Sequence, residues 1–173
     1  MANLRARRAT AHDVDELRRL HAEATAPHAS LWSVRRERLD PAAWVAAHTP
    51  AVLVGDGTID VGFAVAISDG IPLGAPRCAE AFVYIARTNR RHGGARAALT
   101  ELLTVCRTMG LWKLLAYALP EDPASRALLA RLDFRDVGTL IKHVQLDNSW
   151  HDVIVAERLV LAARKSLPSI PAA

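Results

Sequence analysis

The chain has 173 residues, about one domain's length, with 51% hydrophobic residues, 23% charged residues and a formal net charge of +4. That balance excludes a disordered chain, and the absence of any run of about 18 apolar residues predicts no membrane span. Only 5% of the residues are aromatic and the arginines are dispersed, so the basic excess suits a small anionic ligand better than nucleic acid.

The arginine-rich start, Met1 to Thr10, has no apolar stretch behind it and does not read as a signal peptide, so the expectation is a cytoplasmic protein. Thr10 and Asp13 have the spacing of a capping box, and Val14, Leu17, Leu20 and Ala24 recur at helical period. A first amphipathic helix is expected there, closed by Pro27. Pro41 to His48 is a candidate short helix after Asp40, with Pro in the first turn.

Ala51 to Val54 and Ile59 to Ile67 read as strands around an Asp56-Gly57 turn. Residues 68 to 77 hold two Gly and two Pro and form a loop; Ala79 to Ile85 is a buried strand. Arg87 to Gly94 is polar, basic and glycine-containing. Ala95 to Met109 follows as a strong helix, with Ala98, Leu99, Leu102, Leu103, Cys106 and Met109 on one face and Gly110 as its stop.

Leu111 to Leu119 is a further strand, Pro120 to Pro123 a turn, and Ala124 to Leu132 a short helix. Val137 to Leu146 and Trp150 to Val160 pair as a late hairpin around Asn148-Ser149, and a frayed tail follows from about residue 162. No repeat or linker interrupts this order, so residues 1 to 173 make one layered α/β domain with a partly antiparallel sheet. Cys78 and Cys106 have no metal or redox spacing, and no other cluster has metal-ligand spacing.

The chemistry concentrates in the stretch from Glu80 to Ala95, which runs strand, basic glycine loop, helix. A helix start offers unpaired N–H groups and the positive end of a dipole, and glycine lets backbone approach a ligand. Arg90 and Arg91 add cations, so the loop suits a pyrophosphate. Neither GxxxxGK[ST] nor GxGxxG is present. A solvated basic turn is the plain alternative.

Arg90-Arg91-His92-Gly93-Gly94-Ala95 resembles the Q/R-x-x-G-x-G/A signature of GNAT acetyltransferases. Arg8-Ala9-Thr10 with Asp13 is similar to that family's opening, and Glu121-Asp122-Pro123-Ala124-Ser125 leading to Leu132-Asp133-Phe134 is similar to its last helix. Val137-Gly-Thr-Leu140 and Trp150-His-Asp-Val153 resemble a narrower branch, the phosphinothricin (methionine sulfoximine) acetyltransferases. The resemblance spans about residues 5 to 160.

It implies a GNAT fold: a central, mixed, mostly antiparallel sheet, splayed at its central strands and flanked by helices. It implies acetyl-CoA as cosubstrate, bound at Arg90, Arg91, His92, Gly93, Gly94, Ala95 and Arg96, with Val83 and Ile85 on the pantetheine arm. Asp122 and Ser125 would touch the coenzyme at the last helix, although that Ser equally serves its own backbone. Glu80 aligns with the branch's general base; its plain alternative is a strand-end carboxylate, solvated or paired with Arg77. Trp32 and Arg35, beside Arg36, would line the pocket of an amino-acid-like amine. Tyr84 would face that pocket or the core. His151 reads as structural. No metal and a homodimer are expected.

Three departures stand out. Asp122 replaces an amide, Asp133 replaces a glycine, and Leu129 replaces the His or Tyr acid on the last helix. Leu129 has no proton to give a leaving thiolate. A coenzyme-binding module without turnover and an acetyltransferase for protein N-termini or lysine are therefore carried as alternatives.

Overall fold

The computed structural model describes residues 4–26, 31, 40–47, 49–68 and 77–160. Trp32, Arg35 and Arg36, the loop from 69 to 76 and the tail from 162 lie outside them. The described residues form seven strands and four α-helices. In chain order these are β1 (Arg5–Arg8), α1 (Val14–Thr25), α2 (Pro41–Ala46), β2 (Ala51–Gly55), β3 (Asp60–Ile67), β4 (Cys78–Ile85), α3 (Gly94–Thr108), β5 (Lys113–Ala118), α4 (Pro123–Arg131), β6 (Arg135–Leu146) and β7 (Ser149–Leu159).

The strands make one sheet in the order β1-β2-β3-β4-β5-β7-β6. Only β4 and β5 run parallel; every other neighbouring pair is antiparallel. This is the mixed, mostly antiparallel sheet expected from the sequence. Strand residues alternate faces. Val52, Val54, Ala64, Ala66, Ala79, Ala81 and Leu114 therefore join α3 and α4 in one core layer, around Leu99, Leu102, Leu129 and Leu132. Leu53, Phe63, Val65 and Tyr84 point the other way and pack with Leu17, Leu20 and Ala24 of α1 and Trp44 of α2.

Local signals explain most boundaries. The Asp13 carboxylate accepts from the Thr10 N–H (2.7 Å) and hydroxyl (2.8 Å), ahead of a 3-10 turn that leads into α1. Asp40 caps α2, taking the Ala42 N–H at 2.9 Å, and α2 stops at Ala46, before the expected His48. Gly110, at φ 76°, ends α3; Leu111 N–H reaches back to the Cys106 carbonyl at 2.9 Å, the six-to-one bond of a Schellman stop.

The structure adds one strand and corrects one turn. β1 was not legible: its four residues, Arg-Ala-Arg-Arg, carry no apolar alternation, yet they pair β2 from Arg5↔Gly55 to Arg8↔Val52. Charged side chains on an edge strand deter further pairing. The late turn is Asp147-Asn148, one residue earlier than expected. Both residues sit at positive φ, 50° and 60°, as a tight hairpin turn requires.

Candidate active site

The site begins where two strands part. β4 (Cys78–Ile85) pairs β3 from Glu80 to its end, from Ile67↔Glu80 to Gly62↔Ile85. It pairs β5 only at Cys78↔Lys113, Ala79↔Leu114 and Glu80↔Leu115. Beyond Leu115, β5 stays with β7, ending at Ala118↔Ile154. The sheet therefore opens between Ala81–Ile85 on one side and Ala116–Ala118 on the other, the splay that the resemblance implies. Both strands run toward the open end, and α3 and α4 each start there, so two helix N-termini face the opening.

The loop between β4 and α3 is held in a strained shape. Ala86 N–H bonds the Val61 carbonyl at 2.8 Å and a 3-10 turn runs from Arg87 to Asn89. Arg91 then takes φ 66° and Gly93, the N-cap of α3, takes φ 81°. A non-glycine residue in that region costs of order 1 kcal/mol and marks a shape imposed by its surroundings. The first bond within α3 runs from Ala97 N–H to the Gly93 carbonyl, 3.0 Å. The N–H groups of Gly94, Ala95 and Arg96 have no carbonyl to reach inside the helix and present the dipole's positive end.

Close packing fixes the base of this loop. A Cβ at Gly94 would meet Leu4 Cδ1 at 3.1 Å and Ile85 Cδ1 at 3.3 Å, so only glycine lets α3 begin here without displacing them. Arg90 Nε donates to the Ile85 carbonyl at 3.0 Å, tying the loop to the end of β4. Arg91, His92 and Arg96 are exposed, and Ala95 is partly buried. This is an anion-binding shape with cations at its rim.

Glu80 lies at the bottom of the opening. It is 4% exposed and is the one buried charged side chain among the described residues. Its burial excludes the solvated form of the plain alternative and leaves the paired form beside the general-base expectation. Alternation puts it on the same face as Phe82 and Tyr84, toward α1 and α2. Tyr84 is buried in that layer, its ring 6.0 Å from Phe63. Burial and the Glu23 carboxylate push its phenol up. The core alternative for Tyr84 is what the packing displays.

The second helix N-terminus is self-contained. Asp122 caps α4: its carboxylate accepts from the Ser125 N–H at 3.0 Å and the Ser125 hydroxyl at 2.5 Å. An acid at this position thus has a local reason. Leu129 is buried against the α3 layer. Beside them, Glu121 Oε1 lies 2.6 Å from His151 Nδ1 on β7, a contact the sequence does not disclose. Cys106 is fully buried in the core, its thiol pushed up to about 12 by that burial. Among the described residues no group of three His, Cys, Asp or Glu could hold a metal ion, and no helix is long and apolar enough to cross a membrane.

Comparison with known proteins agrees with this geometry. The profile of the acetyltransferase (GNAT) family matches residues 11–134. No curated protein matches the chain. Among solved structures, the Salmonella typhimurium acetyltransferase yncA with its cofactor acetyl-CoA superposes with a TM-score of 0.81 at 18% identity, covering 96% of this chain and 99% of that one. The ribosomal-protein-alanine N-acetyltransferase of Brucella melitensis gives 0.74 at 23%, over 89% and 98%. The phosphinothricin acetyltransferase of Sinorhizobium meliloti in complex with acetyl-CoA gives 0.72 at 20%, over 92% and 89%.

Proposed function

The chain belongs to the acetyltransferase (GNAT) family, and from that premise we propose that it transfers the acetyl group of acetyl-CoA to the primary amine of a small, amino-acid-like acceptor. The observation that carries this reading is the parting of β4 from β5 immediately past Glu80, with the α3 N-terminus above the opening. Acetyl-CoA supplies an activated thioester. The N–H groups of Gly94, Ala95 and Arg96, with Arg91 and His92 at the rim, hold its pyrophosphate. In this reading the backbone of β4 beyond Glu80, at Val83 and Ile85, hydrogen-bonds the pantetheine arm. Two neighbours were solved with acetyl-CoA, which supports the same cosubstrate here.

The amine must be neutral to attack, because an ammonium has no lone pair. Glu80, buried at the base of the opening, accepts the proton that leaves the nitrogen, directly or through one water. The nitrogen bonds the thioester carbon, the carbon–sulfur bond breaks, and an N–H of β4 stabilises negative charge on the carbonyl oxygen. Leu129 carries no proton, so water protonates the departing thiolate. The acceptor enters from the α1 face, toward which Glu80 points. Arg35 is the residue we assign to its carboxylate end, with Trp32 lining the same pocket.

The Brucella neighbour acts on a ribosomal protein's alanine, which favours one second reading, a peptide α-amine as acceptor. Incubation with acetyl-CoA and either phosphinothricin, methionine sulfoximine or an alanine-terminated peptide, followed by mass spectrometry, separates the two. Acetylation of an amino-acid-like member supports the first reading. Acetylation of the peptide alone supports the second. Acetylation of neither, with acetyl-CoA bound, supports a module that has lost catalysis.

A further inference from the structure

We infer that Glu121 and His151 form a positioning pair that holds the free end of β5, and with it the N-terminus of α4, at the width the coenzyme needs. The inference rests on the reading that acetyl-CoA lies between β4 and β5.

β5 is supported on both sides only from Lys113 to Leu115. From Ala116 to Ala118 its one neighbour is β7, through Ala116↔Ala156, Tyr117↔Val155 and Ala118↔Ile154. Past Ala118 the ladder stops and the chain turns, with Asp122 N–H on the Leu119 carbonyl at 3.0 Å. Counting on in the same register, Glu121 falls opposite His151, three residues beyond Ala118 and three before Ile154. There the Glu121 carboxylate and His151 Nδ1 meet at 2.6 Å. A side-chain bond thus continues the β5–β7 pairing where backbone bonds end.

What it holds matters for the site. The next residue is Asp122, the cap that carries Ser125. His151 is itself backed by β6 at Val144↔His151, and Asp152 Oδ1 takes the Lys142 N–H at 2.8 Å. The fixed side of the pair is therefore β7, and the held side is the β5–α4 corner on the wall of the opening. Both partners keep solvent contact, 53% for the Glu121 side chain and 30% for His151. An exposed pair of this kind contributes at most about 1 kcal/mol to folding, so its effect is on placement rather than on stability.

The test is calorimetric titration of the intact protein with acetyl-CoA, with steady-state kinetics and apo melting temperatures for Glu121→Ala, His151→Ala, the double variant and His151→Asn. Asn keeps an N–H donor near the Nδ1 position. The proposal expects each alanine variant to bind acetyl-CoA about 3- to 10-fold more weakly, with the double variant no weaker than the worse single. It expects kcat at saturation within about twofold of the parent, KM for acetyl-CoA raised in step with Kd, and His151→Asn close to the parent. Unchanged affinity in both single variants, or additive losses in the double, would overturn the pair while leaving the coenzyme reading intact. Absence of acetyl-CoA binding by the parent protein would overturn both.

Discussion

Glu80 and Leu115 are the last residues paired between β4 and β5, and Glu80 is also the buried carboxylate of the described chain. The strand that opens the sheet and the acid at the base of the opening thus share one residue. Glu80→Gln keeps the shape and removes the basicity. The account predicts that kcat falls by about 10²- to 10⁴-fold, the usual worth of a general base, while the Kd for acetyl-CoA stays the same. Steady-state kinetics beside calorimetry check it, and full turnover in the variant would remove Glu80 from the role.

Two glycines of the loop make separable predictions. Gly93 sits at φ 81° with open space where a Cβ would go, so Gly93→Ala is a backbone test. It should cost about 1 kcal/mol of stability and weaken acetyl-CoA binding severalfold. Gly94→Val instead drives side chain into Leu4 and Ile85 and should lower the melting temperature more than Gly93→Ala does. Thermal melts with and without acetyl-CoA distinguish the two effects.

Asp133 occupies the stop of α4 at φ 55°, where Phe134 N–H reaches the Leu129 carbonyl at 3.0 Å. That is the left-handed position glycine fills at least cost. Its ion pair with Arg158, at 3.7 Å, is exposed on the Asp133 side and worth little. Asp133→Gly should therefore stabilise the fold by about 0.5 to 1 kcal/mol without changing kcat or KM. Denaturant titration measures the gain.

Arg7 binds both oxygens of Asp13, at 2.8 and 2.9 Å, and also reaches Asp60 at 2.9 Å. The Arg7 guanidinium, helped by Thr10, pushes the Asp13 carboxyl down to about 2 from 3.8. A depressed folded-state pKa stabilises above the unfolded value and is lost as pH falls through the folded one. Arg7 is half-exposed, so solvent screening reduces the benefit to about 1 kcal/mol. Asp13→Asn should be less stable by that amount at neutral pH. The difference should shrink below about pH 4 and vanish only below about pH 2.

Much of this was legible in the sequence, for physical reasons. α3 declared itself by apolar residues at helical spacing, and the loop before it by two glycines among cations. The splay came from resemblance, because no local pattern says where β4 leaves β5. β1 was illegible: Arg5, Arg7 and Arg8 give no apolar period, and only pairing with β2 makes them a strand. The Glu121–His151 contact depends on a register set by Tyr117↔Val155 and is invisible from either residue alone. The acceptor residues Trp32 and Arg35 were named on resemblance and lie outside the described residues.

The central claim is that the opening past Glu80 binds acetyl-CoA and delivers its acetyl group to a small amine. The most direct measurement is release of the coenzyme A thiol from acetyl-CoA across a panel of phosphinothricin, methionine sulfoximine, the common amino acids and short peptides. The account predicts saturable turnover with an amino-acid-like member, abolished by Glu80→Gln. Silence across the panel, with no rise in melting temperature on adding acetyl-CoA, would contradict it.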